Sequence, residues 1–212
     1  SSLPENMFAT QSAVTTFNSA FQGCTSLTTL PANLFSACVS VTDYTEAFAS
    51  TNVTVIPNNC FNGNNATCTN IFDDNKIVTV GNNALYGLNL GEGFFQDNTQ
   101  LTTVGNDVFG TNTTTLRLMF NGCTNLGSLG NIDMTNITNL ANSNAFGNCT
   151  ALTTVAGFKD RTNHTTPTLS QDFNISSSSL LTHDSLMNII DSLVTMTPTT
   201  TKTLYLHPTS LN

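Results

Sequence analysis

The chain has 212 residues, of which only 8% are charged, and a net charge of −8. Its five Lys and Arg residues are scattered, whereas a nucleic-acid backbone or an anionic membrane surface requires clustered cations. No apolar run approaches the length of a membrane-spanning helix. Composition therefore predicts neither a nucleic-acid partner nor membrane insertion.

An apolar-x-x-apolar step recurs along the first three quarters of the chain. Its second residue recurs about every 24 to 27 residues, at Leu30, Ile56, Val80, Val104, Leu129 and Val155. A fixed period in this range is typical of a solenoid, in which each unit buries its apolar face only against its neighbours. The sequence predicts a repeat solenoid over residues 1–158, a leucine-rich-repeat-like coil of short parallel strands and turns. Because the pattern is already under way at Ser1, we expect a mature fragment or an excised domain.

Each period divides into two similar halves. One half contains Phe21, Cys24 and Leu27 at steps of three, and the other contains Phe35 and Cys38 with the same step. This spacing suits a tight helical or 3-10 turn that leads into a short strand. We therefore expect a flattened coil with a short parallel strand on each side. Two irregular stretches, near Asn62 and at residues 87–93, are interpreted as loop insertions.

Five of the six cysteines share one phase, three residues before a Leu, Val or Ile: Cys24, Cys38, Cys68, Cys123 and Cys149. A position that repeats in phase is a stacking position, where a small apolar side chain with a weak donor fills the interior. Paired cysteines need facing rather than repeating geometry, so buried free thiols are favoured over disulfides. Asn98 stands at the matching place before Leu101.

The repeat pattern stops after Phe158. Residues 159–180 are polar and are interpreted as a connector, and residues 181–212 as a C-terminal helix-strand cap. Thr182 is the predicted N-cap of the helix, with Asp184 in its first turn, and residues 203–207 predict one more strand. A stack with an exposed apolar end needs such a cap.

The repeat units resemble the BspA-like leucine-rich repeats of bacterial surface proteins, which also occur in phage-encoded proteins of gut bacteria. The resemblance rests on the Phe-x-x-Cys-Thr-x-Leu units, such as Phe21–Leu27 and Phe120–Leu126, and on the tail from Leu181 to Leu206. It implies an extracellular location, on a cell or virion surface, and attachment to proteins, glycans or host cells. In relatives the closing module runs on through another short helix, so the resemblance implies a truncated cap.

No pattern for catalysis or metal binding is found. The three histidines, His164, His183 and His207, lack a second ligand at i+3 or i+4, so a surface or capping role is favoured. Residues 73–75 (Asp-Asp-Asn) lack the spaced oxygens of a calcium loop and are interpreted as a solvated turn. We predict no catalytic residue, no metal, no cofactor and no enzymatic activity.

The candidate binding residues occupy the strand position just before each inward residue: Thr29, Thr79, Thr103, Ser128 and Thr154, with Val55 at the same phase. Stacked at the strand spacing of about 4.8 Å, they would form a nearly uncharged ladder. One interpretation is that β-branched Thr simply suits exposed strands. The other is a flat recognition face, as solenoids commonly use. The regular Thr-x-Thr repeat of an ice-binding surface is absent from this sequence.

Two functional hypotheses follow. The first is a recognition or adhesion domain on a bacterial cell surface or phage particle that binds a host protein or glycan. The second is a structural or decoration subunit of a virion or extracellular filament, in contact with copies of itself. An enzyme with unrecognised residues is the least favoured class.

Overall fold

The computed structural model describes residues 1–61, 65–110, 112–134, 136–137, 144–159, 172–194 and 203–207. The chain forms two compact units, one from Ser1–Leu90 with Val108–Asn112 and the other from Gly91–Asp107 with Thr113–Asn212. Each unit is a stack of coils joined by short parallel strands. The predicted fold class, a leucine-rich-repeat-like solenoid with a helix near the C-terminus, is confirmed.

In the first unit, strands form ladders on two sides of the coil. Strand β1 (Val55–Ile56) pairs with β3 (Thr79–Val80), and β2 (Ala66–Thr67) pairs with β4 (Leu88–Asn89), both in parallel. Isolated parallel bridges add further rungs at Ser2–Thr29, Thr16–Asp43, Asp43–Thr67 and Leu85–Phe109. The prediction of two half-units per coil is therefore confirmed in this unit.

Strand β4 corrects the interpretation of residues 87–93 as a loop insertion. Leu88 and Leu90 are buried and Asn89 between them is exposed, which is the alternation of a strand. The glycines on both sides of this short strand concealed it in the sequence. The other predicted insertion begins at Asn62, which lies outside the described residues.

The second unit contains a parallel sheet whose last two strands are longer. Strand β5 (Thr103–Val104) pairs with β6 (Ser128–Asp133), which pairs with β7 (Thr154–Lys159). A 3-10 helix spans Asn144–Phe146. Strand β8 (Phe173–Asn174) lies within the segment interpreted as a connector, and it pairs in parallel with β9 (Leu204–Tyr205), the strand predicted in the tail.

Phenylalanines stack in the core because each occupies the same phase of successive coils. In the second unit, the rings of Phe95, Phe120 and Phe146 stack with centroids 5.6 Å apart and interplanar angles of 4° and 17°. In the first unit, Phe21 and Phe48 stack with a centroid distance of 5.0 Å. The Phe position of the repeat is therefore an aromatic stacking position.

Left-handed backbone positions recur along the described residues, and Asn occupies seven of the fourteen that are not glycine. One series, with φ between 50° and 60°, recurs once per coil at Asn6, Asn33, Asn59, Asn83 and Asp107. Asn, Asp and Gly tolerate this conformation better than other residues. Ser19, Glu46, Ser50 and Leu118 are exceptions, and the left-handed backbone of Leu118 (φ 57°) carries a strain of about 1–2 kcal/mol.

The cysteine prediction holds for most positions. All six thiols are free, and five are buried. The Cys123 and Cys149 thiols donate to the carbonyl oxygens of Phe95 and Phe120 on the preceding coil, at 3.0 and 3.1 Å. A small residue with a weak donor fits this interior position for that reason. Asn98, at the matching place, instead accepts a hydrogen bond from the Gln100 amide through its Oδ1, at 3.1 Å.

Two cysteines differ from the prediction. Cys24, which the prediction placed in the buried row, is exposed. Cys68 is buried but in another row. The pairing of Asp43 with Thr67 places it level with Tyr44, and its thiol donates forward to the Asn89 carbonyl.

We expect this burial to control thiol reactivity. Burial raises the pKa of the Cys68, Cys123 and Cys149 thiols to about 12, so they stay protonated and unreactive near neutral pH. Native protein treated with a maleimide should be labelled at Cys24 alone, and protein in denaturant at all six cysteines, as counted by mass spectrometry. Rapid native labelling of Cys123 or Cys149 would contradict the buried thiol row.

Helix α1 (His183–Val194) begins as predicted at an N-cap threonine, since the Ser185 amide donates to the Thr182 hydroxyl at 3.3 Å. The helix then supplies hydrogen bonds to the outer edge of β7. The Ser185 hydroxyl accepts from the Val155 amide at 3.0 Å and donates to the Thr153 carbonyl at 3.1 Å. One face of α1 therefore takes the place of a further strand.

The same face makes two more bonds to β7. The Ser192 hydroxyl accepts from the Phe158 amide at 3.0 Å and donates to the Asn188 carbonyl. The Asn188 side-chain amide donates to the Val155 carbonyl at 3.1 Å. Covering a sheet edge in this way removes a row of unpaired amides and carbonyls that would otherwise template aggregation.

Candidate functional site

The structure places the predicted ladder residues side by side within each unit. In the second unit, Thr103, Ser128 and Thr154 are in register on adjacent parallel strands. In the first unit, Thr79 lies opposite Val55. Thr29 lies opposite Ser2 in the same unit. The residue that follows each of these in the repeat is buried, so the ladder forms the outer surface of a packed layer.

The exposed surface is two residues wide, because the residue before each ladder position is also exposed or half-buried. In each unit we call this two-residue-wide surface the threonine face; it comprises residues 28–29, 54–55 and 78–79 in the first unit and residues 102–103, 127–128 and 153–154 in the second. None of these positions carries a charged or aromatic side chain. Sequence reasoning missed the second row, although repeated pairs such as Thr-Thr were visible.

The backbone explains why two successive residues are both exposed. The Thr54 carbonyl accepts hydrogen bonds from the amides of both Val78 and Thr79, at 2.7 and 3.2 Å. The carbonyls of Thr102 and Gly127 each accept two amides in the same way. In an extended strand, successive side chains point to opposite faces. Here two successive backbone amides donate to the same carbonyl, which breaks that alternation, so both side chains lie on the outer surface.

Two hydroxyls of the added row bond to the preceding coil. The Thr153 hydroxyl donates to the Gly127 carbonyl at 3.0 Å, and the Thr28 hydroxyl donates to the Ser1 carbonyl at 3.3 Å. These bonds hold short, branched side chains that have little rotamer freedom left to lose on contact. The arrangement suits binding rather than chemistry.

The comparison with known families agrees with this architecture. A family model described as a BspA type leucine-rich repeat region matches residues 2–116 in six copies, more than half of the chain. The chain belongs to the BspA-type leucine-rich repeat family. BspA-type repeats are commonly protein-interaction or surface domains and are typically non-catalytic scaffolds. No curated protein and no solved structure matches the chain.

The opposite ladder of this BspA-type chain contains a carboxylate that sequence reasoning did not single out. Asp43 accepts hydrogen bonds from the Asn18 side-chain amide at 3.0 Å, the Thr45 amide at 2.8 Å and the Thr67 hydroxyl at 3.2 Å. These bonds, that of Asn18 foremost, lower the pKa of Asp43 to about 2. The carboxylate bonds to the coils on both sides of its own, which is a structural role.

Stability should therefore depend on the ionisation of Asp43. Because the pKa of Asp43 in the folded state, about 2, lies below the ordinary aspartate value of 3.8, its contribution to stability is present above about pH 4 and is lost as the pH falls toward 2. We expect the difference in unfolding free energy between wild type and Asp43→Asn to shrink between about pH 5 and pH 2. Urea denaturation at each pH measures it; a constant difference would contradict the ionic role.

The remaining polar groups include no metal cluster in the described part of the chain. There, no group of three or more His, Cys, Asp or Glu residues could hold a metal ion. His183 is exposed beside Asp184, His207 is half-buried, and His164 lies outside the described residues. In the turn at residues 73–75, the Asn75 side-chain amide donates to the Phe48 carbonyl at 2.7 Å and ties two coils together.

The helices of the described residues were compared with the length and hydropathy of a membrane-spanning helix. Within the described ranges, none combines the length and apolar character that spanning a bilayer requires. Proteins with BspA-type repeats are often surface-associated.

Proposed function

We propose that this chain is a non-enzymatic recognition or adhesion domain, displayed on a bacterial cell surface or a phage particle, that binds a host protein or glycan through its threonine face. The observation that carries the proposal is the in-register row of Thr103, Ser128 and Thr154 on parallel strands. Family membership supports it, since solenoids commonly bind partners on such extended faces.

The absence of charged side chains from the threonine face is the physical argument for binding. The face has no charges to desolvate, and its side chains are short and stiff, so contact costs little in desolvation and conformational entropy. The net charge of −8 resides on other residues, so attachment through this face should depend only weakly on salt. A structural subunit joined through sheet edges has less support, because α1 covers the edge of β7.

The test is attachment of the fluorescently labelled domain to a panel of bacterial and epithelial cells. Thr79→Lys combined with Thr103→Lys places one unmatched cation on the face of each unit. We expect attachment to fall at least about tenfold, as a desolvated unpaired charge costs several kcal/mol. Both side chains are at least partly exposed, so the melting temperature should change little.

Asn89→Lys combined with Thr124→Lys is the matched control, since it adds the same charge at exposed positions outside the face. This control should attach like wild type. Equal loss in both variants would assign the effect to net charge. Attachment that survives both, or no attachment to any cell, would contradict the proposed function.

A further inference from the structure

The acceptor motif of N-glycosylation, Asn-x-Ser/Thr, occurs seven times in the sequence, at Asn52, Asn65, Asn112, Asn136, Asn148, Asn163 and Asn174. A chain this rich in Asn and Thr contains such a number by chance, so the motif alone singles out none of them. A glycosyl-transferring enzyme has to recognise two groups together, the carboxamide of the Asn and the hydroxyl two residues later. The structure shows where both groups are presented side by side.

At Asn174 the two groups are in direct contact. The Ser176 hydroxyl donates to the Asn174 Oδ1 atom at 2.7 Å, and the Ser176 backbone amide donates to the same oxygen at 2.9 Å. These bonds form an Asx turn. Asn174 lies between the buried residues Phe173 and Ile175, so its side chain points to the outer surface of β8. Its Nδ2 atom, the nitrogen that would receive a sugar, has no hydrogen-bond partner among the described residues.

Two other acceptor motifs are held in a different way. The Asn52 side-chain amide donates to the Thr25 carbonyl at 2.6 Å, which occupies the acceptor nitrogen. In the motif of Asn148, the Thr150 hydroxyl donates to the Thr124 carbonyl at 3.4 Å instead of to the asparagine. One of the two groups that an enzyme must reach is therefore bonded to a neighbouring coil in each of these motifs.

An exposed aromatic ring lies beside Asn174. Asn174 and Tyr205 are partners in the parallel pairing of β8 with β9, so their side chains are on the same face. Tyr205 is 45% exposed, and its hydroxyl donates to the Asp172 carboxylate at 3.5 Å. A sugar ring has a face of C–H groups, which packs against an aromatic ring much as other apolar groups do. The position of Tyr205 therefore suits support of a sugar attached to the Asn174 nitrogen.

We propose that Asn174 is an N-glycosylation site and that the first sugar of the glycan packs against Tyr205. The sugar donor would be a polyprenyl-diphosphate-linked oligosaccharide, used by an oligosaccharyltransferase. The Asn174 Nδ2 atom forms a bond to the anomeric carbon, the bond from that carbon to the diphosphate oxygen breaks, and the diphosphate leaves with the electron pair. The nitrogen gives up one proton to a base of the enzyme. The inference rests on the extracellular location in the proposed function and not on the threonine face.

Glycosylation of the folded chain in vitro tests the acceptor site. The purified protein is incubated with an oligosaccharyltransferase and its lipid-linked donor, and the occupancy of each motif is measured by mass spectrometry of peptides. We expect Asn174 to be modified at least about fivefold faster than Asn52 or Asn148, because their motifs must first lose a hydrogen bond. This preference should disappear in chemically unfolded chain. Ser176→Ala should abolish modification of Asn174, and Ser176→Thr, which restores the hydroxyl, should retain it.

Thermal melting tests the contact with the sugar. We expect the glycan to raise the melting temperature by about 2–4 °C in wild type and in Tyr205→Phe, which keeps the ring, but not in Tyr205→Ala. An equal rise in Tyr205→Ala would overturn the packing of the sugar. Absence of modification at Asn174, or equal modification of Asn52 or Asn148 in the folded chain, would overturn the acceptor site. Thr79→Lys combined with Thr103→Lys should be glycosylated like wild type, so failure of attachment and failure of glycosylation are separate results.

Discussion

Replacing both Ser185 and Ser192 with alanine is expected to lower the free energy of unfolding by about 2–6 kcal/mol. Each hydroxyl accepts a hydrogen bond from a β7 amide, Val155 or Phe158, at 3.0 Å, and both serines are 2% exposed. A buried amide left without a partner costs about 1–3 kcal/mol. The two amides are separate, so we expect the single-variant effects to add approximately.

Urea denaturation measures the loss, and hydrogen exchange at the Val155 and Phe158 amides locates it. Met187→Ala is the control, since it alters an exposed position of the same helix and removes none of these bonds. A double serine variant as stable as this control would show that water replaces the hydroxyls. The edge of β7 would then be open to solvent.

Replacing Gly130 with alanine is expected to destabilise the second unit by about 3 kcal/mol or more, near the upper end of overpacking costs. A Cβ on Gly130 would lie 2.4 Å from the carbonyl carbon and oxygen of Gly105 on the preceding coil. Both coils would have to separate, because the obstructing atoms belong to the backbone. The regular spacing of the parallel strands depends on this close approach.

Gly127→Ala is the matched control, three residues earlier in the same coil. A Cβ there would meet nothing nearer than 3.8 Å, an ordinary van der Waals contact. We expect its unfolding free energy to stay within about 1 kcal/mol of wild type. Thermal or urea unfolding of both variants tests the pair. Similar losses would mean that glycine entropy, rather than close packing, governs these positions.

These two predictions depend on contacts that sequence reasoning did not reach. Thr182 was predicted as a helix cap from its place before an apolar helical pattern, and the structure confirms it. Ser185 and Ser192 offered no comparable indication. Ser185 and Ser192 are two helical turns apart, a spacing that by itself indicates no function. Their role becomes visible only because the edge of β7 lies against that face of the helix.

The sequence alone determined the repeat and its period, the recurring Phe position, the buried thiols at Cys123 and Cys149, and the ladder of Thr103, Ser128 and Thr154. In a stack of coils, residues at equivalent positions of successive repeats have the same surroundings, so the sequence periodicity is enough to predict which of them are buried and which are exposed. The ladder as a binding site remains a prediction, since position in a stack does not reveal a partner.

Only the tertiary structure decided the interior row that Cys68 occupies, the presence of strand β4 and the two-residue width of the threonine face. Each depends on what the neighbouring coil supplies: a carbonyl that covers a thiol, a partner strand for Leu88, or an acceptor such as the Thr54 oxygen that takes two amides. Such contacts join residues about 20 to 30 positions apart. The sequence pattern predicts that the coils repeat, but it does not predict which atoms of adjacent coils are in contact.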